Sequence, residues 1–165
     1  MIALETRYGF RFDIRLATHE DESALADFFA EVTDEDRRFR FLSAVRQVSP
    51  SQLHAMTDFD HHRHESFLAF APESGAIIAA ATLAVDPEGK TGEVAISILP
   101  DHKGKGIGWT LLDHVAQEAR AWGVTRLQSI ESRDNRAAIS LEREMGFSAR
   151  AIEGDPALLL LERAF

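Results

Sequence analysis

Three strand-like runs, residues 66–71, 76–85 and 91–99, follow one another with no helix between them. Turn signals separate them, at 72–75 and at Asp86-Pro87-Glu88-Gly89. Connections this short cannot carry a crossover, so the three runs must be antiparallel neighbours. A glycine-rich stretch follows directly, Lys103-Gly104-Lys105-Gly106-Ile107-Gly108. It opens a helical pattern reaching about Trp122, with Leu111, Leu112, Val115, Ala119 and Trp122 on one stripe and Gly123 closing it. The next strand signal, 127–131, lies beyond that helix, which allows a parallel return. An antiparallel meander feeding a βαβ unit is therefore the frame into which the rest must fit.

The flanking segments fit it. Alternation in Phe10-Arg11-Phe12-Asp13-Ile14-Arg15-Leu16 predicts a half-buried strand. Thr18 starts a helix with Leu25, Phe28, Phe29 and Val32 on its apolar face, and a shorter helix over 34–41 carries Arg37, Arg38 and Arg40. Ser49 caps a third helix with Pro50 in its first turn. After residue 131 come a helix over 135–145, the turn Gly146-Phe147, and two strands, about 147–152 and 158–162. The order β-α-α-α-β-β-β-α-β-α-β-β is an α+β fold with a mixed sheet. With 165 residues and no linker or repeat, the expectation is a single domain, 1–165.

Composition narrows the function classes. The chain has no cysteine, which excludes a thiol nucleophile and a thiolate metal site. Eighteen basic against 27 acidic residues give a net charge of −9, which argues against a nucleic-acid partner and is compatible with a cationic one. The first residues lack the apolar core of a signal peptide and no run has the length of a membrane span, so the expectations are a cytoplasmic protein and no membrane partner. The apolar run 158–161 suggests a strand edge through which two copies would pair as a homodimer.

The stretch 103–108 carries the most chemistry. Glycines let backbone approach a ligand closely, and at a helix start the free N–H groups and positive dipole end make an anion site. Two lysines inside an acidic chain sharpen that reading to a phosphate-bearing ligand. The P-loop pattern G-x-x-x-x-G-K-[ST] is absent. The spacing here is G-x-G-x-G, not the G-x-G-x-x-G of dinucleotide folds, and it follows a meander.

The stretch resembles the acyl-CoA pyrophosphate loop of GNAT acetyltransferases, [Arg/Gln]-x-x-Gly-x-[Gly/Ala]: Gly106 and Gly108 fit, and Lys103 stands where Arg or Gln is usual. Asn135-Arg136-Ala137-Ala138-Ile139-Ser140-Leu141 followed by Met145-Gly146-Phe147 is similar to that family's N-x-x-A-x-x-L…G-F segment, whose asparagine faces the cofactor. The strand 93–99 leading to Pro100 is similar to the family strand whose splayed end pairs with pantetheine. The N-terminal half, through Glu35-Asp36-Arg37, Arg40-Phe41 and 60–69, resembles the GNAT domain of bacterial protein lysine acetyltransferases. The resemblance implies the GNAT acyl-CoA N-acyltransferase fold and acetyl-CoA as cosubstrate, with no metal. It implies cofactor contacts at Ile98, Leu99, Lys103, Gly104, Lys105, Gly106, Ile107, Gly108 and Asn135.

Amide formation from a thioester needs a neutral amine. A lysine of pKa about 10.4 is neutral in only about one part in 2,500 at pH 7, a handicap near 4.6 kcal/mol that a general base removes. Glu93, on the strand leading to the loop and just before Val94-Ala95-Ile96, is the base candidate. Many GNAT enzymes protonate the leaving thiolate with a tyrosine in the pattern L-Y-x-[KR]-x-G-F. Here that position is Glu142, the only tyrosine is Tyr8 near the N-terminus, and no general acid is visible. His61, His62 and His64 have neither H-x-x-x-H nor zinc-finger spacing and read as loop histidines. The phenylalanines 28, 29, 39, 41, 59, 67 and 70 read as core, and Arg37, Arg38 and Arg40 as a solvated helix face. The expected activity is acetyl transfer to a primary amine, first of all a protein lysine. The alternatives are a small-molecule amine or amino-acid N-acetyltransferase, and a non-catalytic acyl-CoA-sensing module.

Overall fold

A computed structural model of the chain describes residues 1–42, 47–57 and 63–165. Its elements are β1 (Ile2–Glu5), β2 (Arg11–Leu16), α1 (Glu22–Glu31), α2 (Asp34–Phe41), α3 (Pro50–Ala55), β3 (His64–Phe70), β4 (Ile77–Val85), β5 (Thr91–Ile98), α4 (Ile107–Ala121), β6 (Arg126–Ser132), α5 (Arg136–Glu144), β7 (Ser148–Ile152) and β8 (Asp155–Ala164). Short 3₁₀ turns precede α1 (His19–Asp21) and α4 (Pro100–His102). All eight strands join one sheet in the order β1-β2-β3-β4-β5-β6-β8-β7. Every pairing is antiparallel except β5 with β6, so β5-α4-β6 is the βαβ unit that the sequence predicts.

Two apolar clusters sandwich the sheet, as period-two alternation requires. On one face Phe67, Ala69, Leu83, Val94 and Leu127 meet Ile107, Leu111, Leu112 and Val115 of α4. On the other, Leu68, Phe70, Ala80 and Leu99 meet Leu25, Phe28 and Phe29 of α1 and Leu53 of α3. Local signals set the helix starts. Ser49 Oγ accepts the N–H of Gln52 (3.1 Å) while Gln52 Oε1 accepts that of Ser49 (2.9 Å), a reciprocal capping box. Before α1, Asp21 accepts the Thr18 N–H (2.7 Å) and both guanidinium nitrogens of Arg15 (2.8 Å each), which holds its carboxyl below the usual range.

Several expectations need correction. β1 was not expected: four residues with an exposed pattern offer no alternation to read. The run 158–161 is not an edge, because β8 lies between β6 and β7; the sheet ends at β1 and β7, which removes the reason for a homodimer through that run. Arg37 is no solvated residue. It is 6% exposed and donates to the carbonyls of Phe29 and Val32, closing the end of α1, and also pairs with Asp34. Phe28, Phe29, Phe39, Phe67 and Phe70 are buried as expected, while Phe59, His61 and His62 lie outside the described residues. Among the described residues, no helix is long and apolar enough to cross a membrane.

Candidate active site

β5 and β6 stay paired over three residues each, Thr91 with Arg126, Gly92 with Leu127 and Glu93 with Gln128, and then part. On its other side β5 remains paired with β4 through Ile98. The Leu99 N–H donates to Ile78 of β4 (3.0 Å), so by alternation the backbone groups of Ile96 and Ile98 point away from β4, toward the side β6 has left. The parting opens a cleft of about 510 Å³. Its walls are residues 94–98 of β5, residues 129–131 of β6, the start of α4, and Asn135, Ala138, Leu141 and Glu142 around α5.

The glycine loop closes one end. Gly104 (φ 78°) and Gly106 (φ 86°) hold left-handed backbone, and Gly106 is the N-cap of α4 with no side chain capping it. The first bond inside the helix runs from Thr110 N–H to Gly106 C=O (3.2 Å), leaving the N–H groups of Ile107, Gly108 and Trp109 with no carbonyl behind them. A Cβ on Gly106 would lie 3.1 Å from Thr6 and Tyr8. The β1–β2 turn thus packs directly on the loop, with Thr6 Oγ1 donating to the Lys105 carbonyl (2.6 Å). This turn brings Arg7 and Tyr8 to the cleft wall, residues that no motif in the sequence marks.

Of the predicted cofactor contacts, Ile98, Lys103, Gly104, Gly106, Ile107, Gly108 and Asn135 line the cleft. Leu99 does not: its side chain is buried in the α1/α3 cluster, because the alternation that opens Ile98 to the cleft sends Leu99 to the opposite face. Lys105 turns aside, its ammonium 4.8 Å from the Phe10 ring centroid and 3.2 Å from His102 Nδ1. Burial and this lysine both lower the pKa of His102, favouring the neutral ring. Lys103 is ion-paired with Asp36 of α2. The positive character of this end of the cleft therefore comes from backbone N–H groups more than from lysine charge. Asn135 caps α5 by accepting the Ala138 N–H (3.4 Å) and donates to Glu131 (3.2 Å), so its amide is already engaged.

Glu93 faces the other way. It lines a second cavity of about 330 Å³ with Arg40, Phe41, Gln52, Met56, His64 and Thr82. Arg40 and Ala95 border both cavities, which makes them the junction. Arg40 is half-buried and donates to Thr82 Oγ1 (3.3 Å), not solvated as the sequence suggested; burial lowers its pKa, and the nearby carboxylates of Glu93 and Glu131 oppose that shift. His64 stands in this second cavity. Elsewhere, His19, Glu22 and His54 bring three ligand-type atoms within 4.8 Å of one another, on the α1/α3 surface away from the cleft.

A strand pair that splays and a helix start capped by glycine thus border one elongated cleft. The family model described as Acetyltransferase (GNAT) family matches residues 20–147. The chain belongs to the GNAT acetyltransferase family. IAA acetyltransferase of Azospirillum brasilense is 34% identical over 148 residues, 86% of this chain and 94% of that protein. Acetyltransferase PA5475 of Pseudomonas aeruginosa is 29% identical over 136 residues, 81% of this chain and 73% of that protein. Among solved structures, the GNAT domain of S. lividans PAT superposes with a TM-score of 0.91 at 23% identity, over 99% of this chain and 96% of that one. The chain is thus an acetyl-CoA-dependent N-acetyltransferase with the GNAT fold. Sequence reasoning missed Arg7, Tyr8 and the burial of Glu142; only the last left a signal, since it falls seven residues after Asn135 on the inward stripe of α5.

Proposed function

We propose that this acetyltransferase moves the acetyl group of acetyl-CoA to the ε-amine of a protein lysine. The pyrophosphate would be held by the N–H groups that open α4, and pantetheine would run along the open backbone edge of Ile96 and Ile98. The observation that carries the reading is the pair of cavities on opposite sides of β5, meeting at Arg40 and Ala95. A donor filling the first and an amine entering the second would meet at that junction. Glu93 borders the second cavity and is the proposed base, taking the ammonium proton so that the free amine attacks the thioester carbon. Apolar Phe41, Met56, Ala84 and Ala95 beside this carboxylate suit an alkyl stem ending in an ammonium, and the net charge of −9 favours a cationic acceptor.

A second reading, a small-molecule amine acceptor, is favoured by the name of the Azospirillum relative and by the modest second cavity, about 330 Å³. The test is acetyl transfer from labelled acetyl-CoA to native proteins and, separately, to a panel of small amines and amino acids. Label on protein lysines at higher kcat/KM than on any small amine supports the first reading. Transfer confined to small amines overturns it in favour of the second. Glu93→Gln is expected to keep acetyl-CoA affinity and to lose about 100-fold or more in kcat. Retained turnover would remove Glu93 from the base role.

A further inference from the structure

Helix α5 turns a carboxyl into the cleft. Asn135, Ala138, Ile139 and Glu142 fall on one stripe at helical spacing, and Glu142 is the member at the cleft wall that is fully enclosed, 3% exposed. The polar groups in reach of its oxygens are the Glu131 carboxyl and the Ser129 hydroxyl. The titratable group facing it is another acid, Glu131 of β6, which itself accepts from Ser129 Oγ (2.6 Å) and Asn135 Nδ2 (3.2 Å). The guanidinium of Arg40 of α2 feels the Glu131 carboxylate, and no cation is among the causes of the Glu142 shift. Burial first, and then Glu131, push the Glu142 carboxyl up to about 10, so at neutral pH it carries its proton. Packing alone does not need an acid here: a glutamine has almost the same shape and leaves no buried carboxyl to keep neutral.

We infer that Glu142 is the proton donor to the sulfur of the departing CoA. This rests on the proposed reading of the cleft as the acyl-CoA site. The amine nitrogen bonds to the acyl carbon and the C–S bond breaks with its electron pair passing to sulfur. The sulfur takes the Glu142 proton, while the nitrogen gives up its extra proton to Glu93 on the other side of β5, which has first passed the ammonium proton to solvent. Glu142 is reloaded from solvent past the half-buried Glu131, so the sum is amine plus thioester giving amide plus thiol. Two carboxyls on opposite sides of one strand thus take different roles because one is exposed and the other enclosed.

The test compares wild type with Glu142→Gln and Glu142→Tyr, using acetyl-CoA and the best acceptor from the panel above. Glu142→Gln should lower kcat about 100-fold, the usual contribution of an acid catalyst, and leave the calorimetric Kd for acetyl-CoA within about threefold. Glu142→Tyr, whose phenol also titrates near 10, should recover at least about a tenth of the wild-type rate. Stability provides a check that does not depend on turnover. A carboxyl raised in the folded chain stabilises fully below its unfolded pKa and loses that contribution as pH rises toward the folded value. The Tm of Glu142→Gln should therefore gain on wild type as pH goes from 5 to 9. Wild-type kcat in Glu142→Gln, or loss of rate that Tyr leaves uncorrected, overturns the inference while the acyl-CoA reading stands. Failure of the wild type to bind acetyl-CoA overturns both.

Discussion

The two sides of β5 differ in how much of the strand is used. Toward β4 it is paired over seven residues, from Gly92 to Ile98, and toward β6 over only three. The first side is structural: its neighbours Ala79, Ala81, Leu83 and Val94 are buried and packed under α4. The second is left open, and the backbone groups of Ile96 and Ile98 have no strand opposite them. Buried backbone without a partner is costly, so an edge that opens into a walled cleft is suited to a ligand that completes it. The comparison teaches that the site is a deliberate interruption of an otherwise complete sheet. A polar side chain marks the same side, since Glu142 is enclosed at the cleft wall with another acid, Glu131, beside it.

The largest effect should come from damaging the closed side. Phe67 of β3 is 2% exposed, packed under α4 with its ring 5.8 Å from that of His114. Phe67→Ala is expected to cost about 3–5 kcal/mol of stability, lowering Tm by on the order of 10 °C in thermal unfolding. The folded fraction should still bind acetyl-CoA with near wild-type affinity. A large loss of affinity at conserved secondary structure would show that the two sides are not separable.

The open side should respond in the opposite way. Gly106→Glu adds a carboxylate at the proposed phosphate end of the cleft and a side chain at a positive φ, where Thr6 and Tyr8 crowd the Cβ at 3.1 Å. The expected result in calorimetry is at least about a 30-fold weaker acetyl-CoA Kd, roughly 2 kcal/mol. The expected loss of ligand-free stability is smaller, about 1–2 kcal/mol for a left-handed L residue. Unchanged affinity would mean that phosphate does not sit at this helix start.

Much of this division was legible in the sequence. Turns of a few residues made 66–99 a meander, and the distance from Thr91 to Arg126 with a helix between made the next pairing parallel. The glycines at 104, 106 and 108 marked the helix start. What escaped was whatever depends on distant segments meeting. The contact of Thr6 and Tyr8 with the loop spans about a hundred residues and has no local signature. Leu99 is expected beside Ile98 from the resemblance to a strand that pairs with pantetheine through its backbone, whereas alternation sends the Leu99 side chain to the opposite face. The sequence marks Arg37 only as part of a solvated helix face and Glu142 only as the residue in the place of a tyrosine, since burial of a charged type is visible only once the carbonyls or acids around it are in place. Arg40 escaped for the same reason, its role at the junction arising from two cavities that no motif announces.

The most direct test of the account is amide hydrogen exchange along β5 with and without acetyl-CoA, resolved to single residues by NMR. The Ser97 and Leu99 amides face β4 and should be protected in both states. The Ile96 and Ile98 amides face the cleft and should exchange faster in the free protein and gain protection on saturation, together with those of Ile107 and Gly108. If acetyl-CoA binds and leaves these four amides unchanged, the donor lies elsewhere and the reading of the splayed strands as its site is wrong.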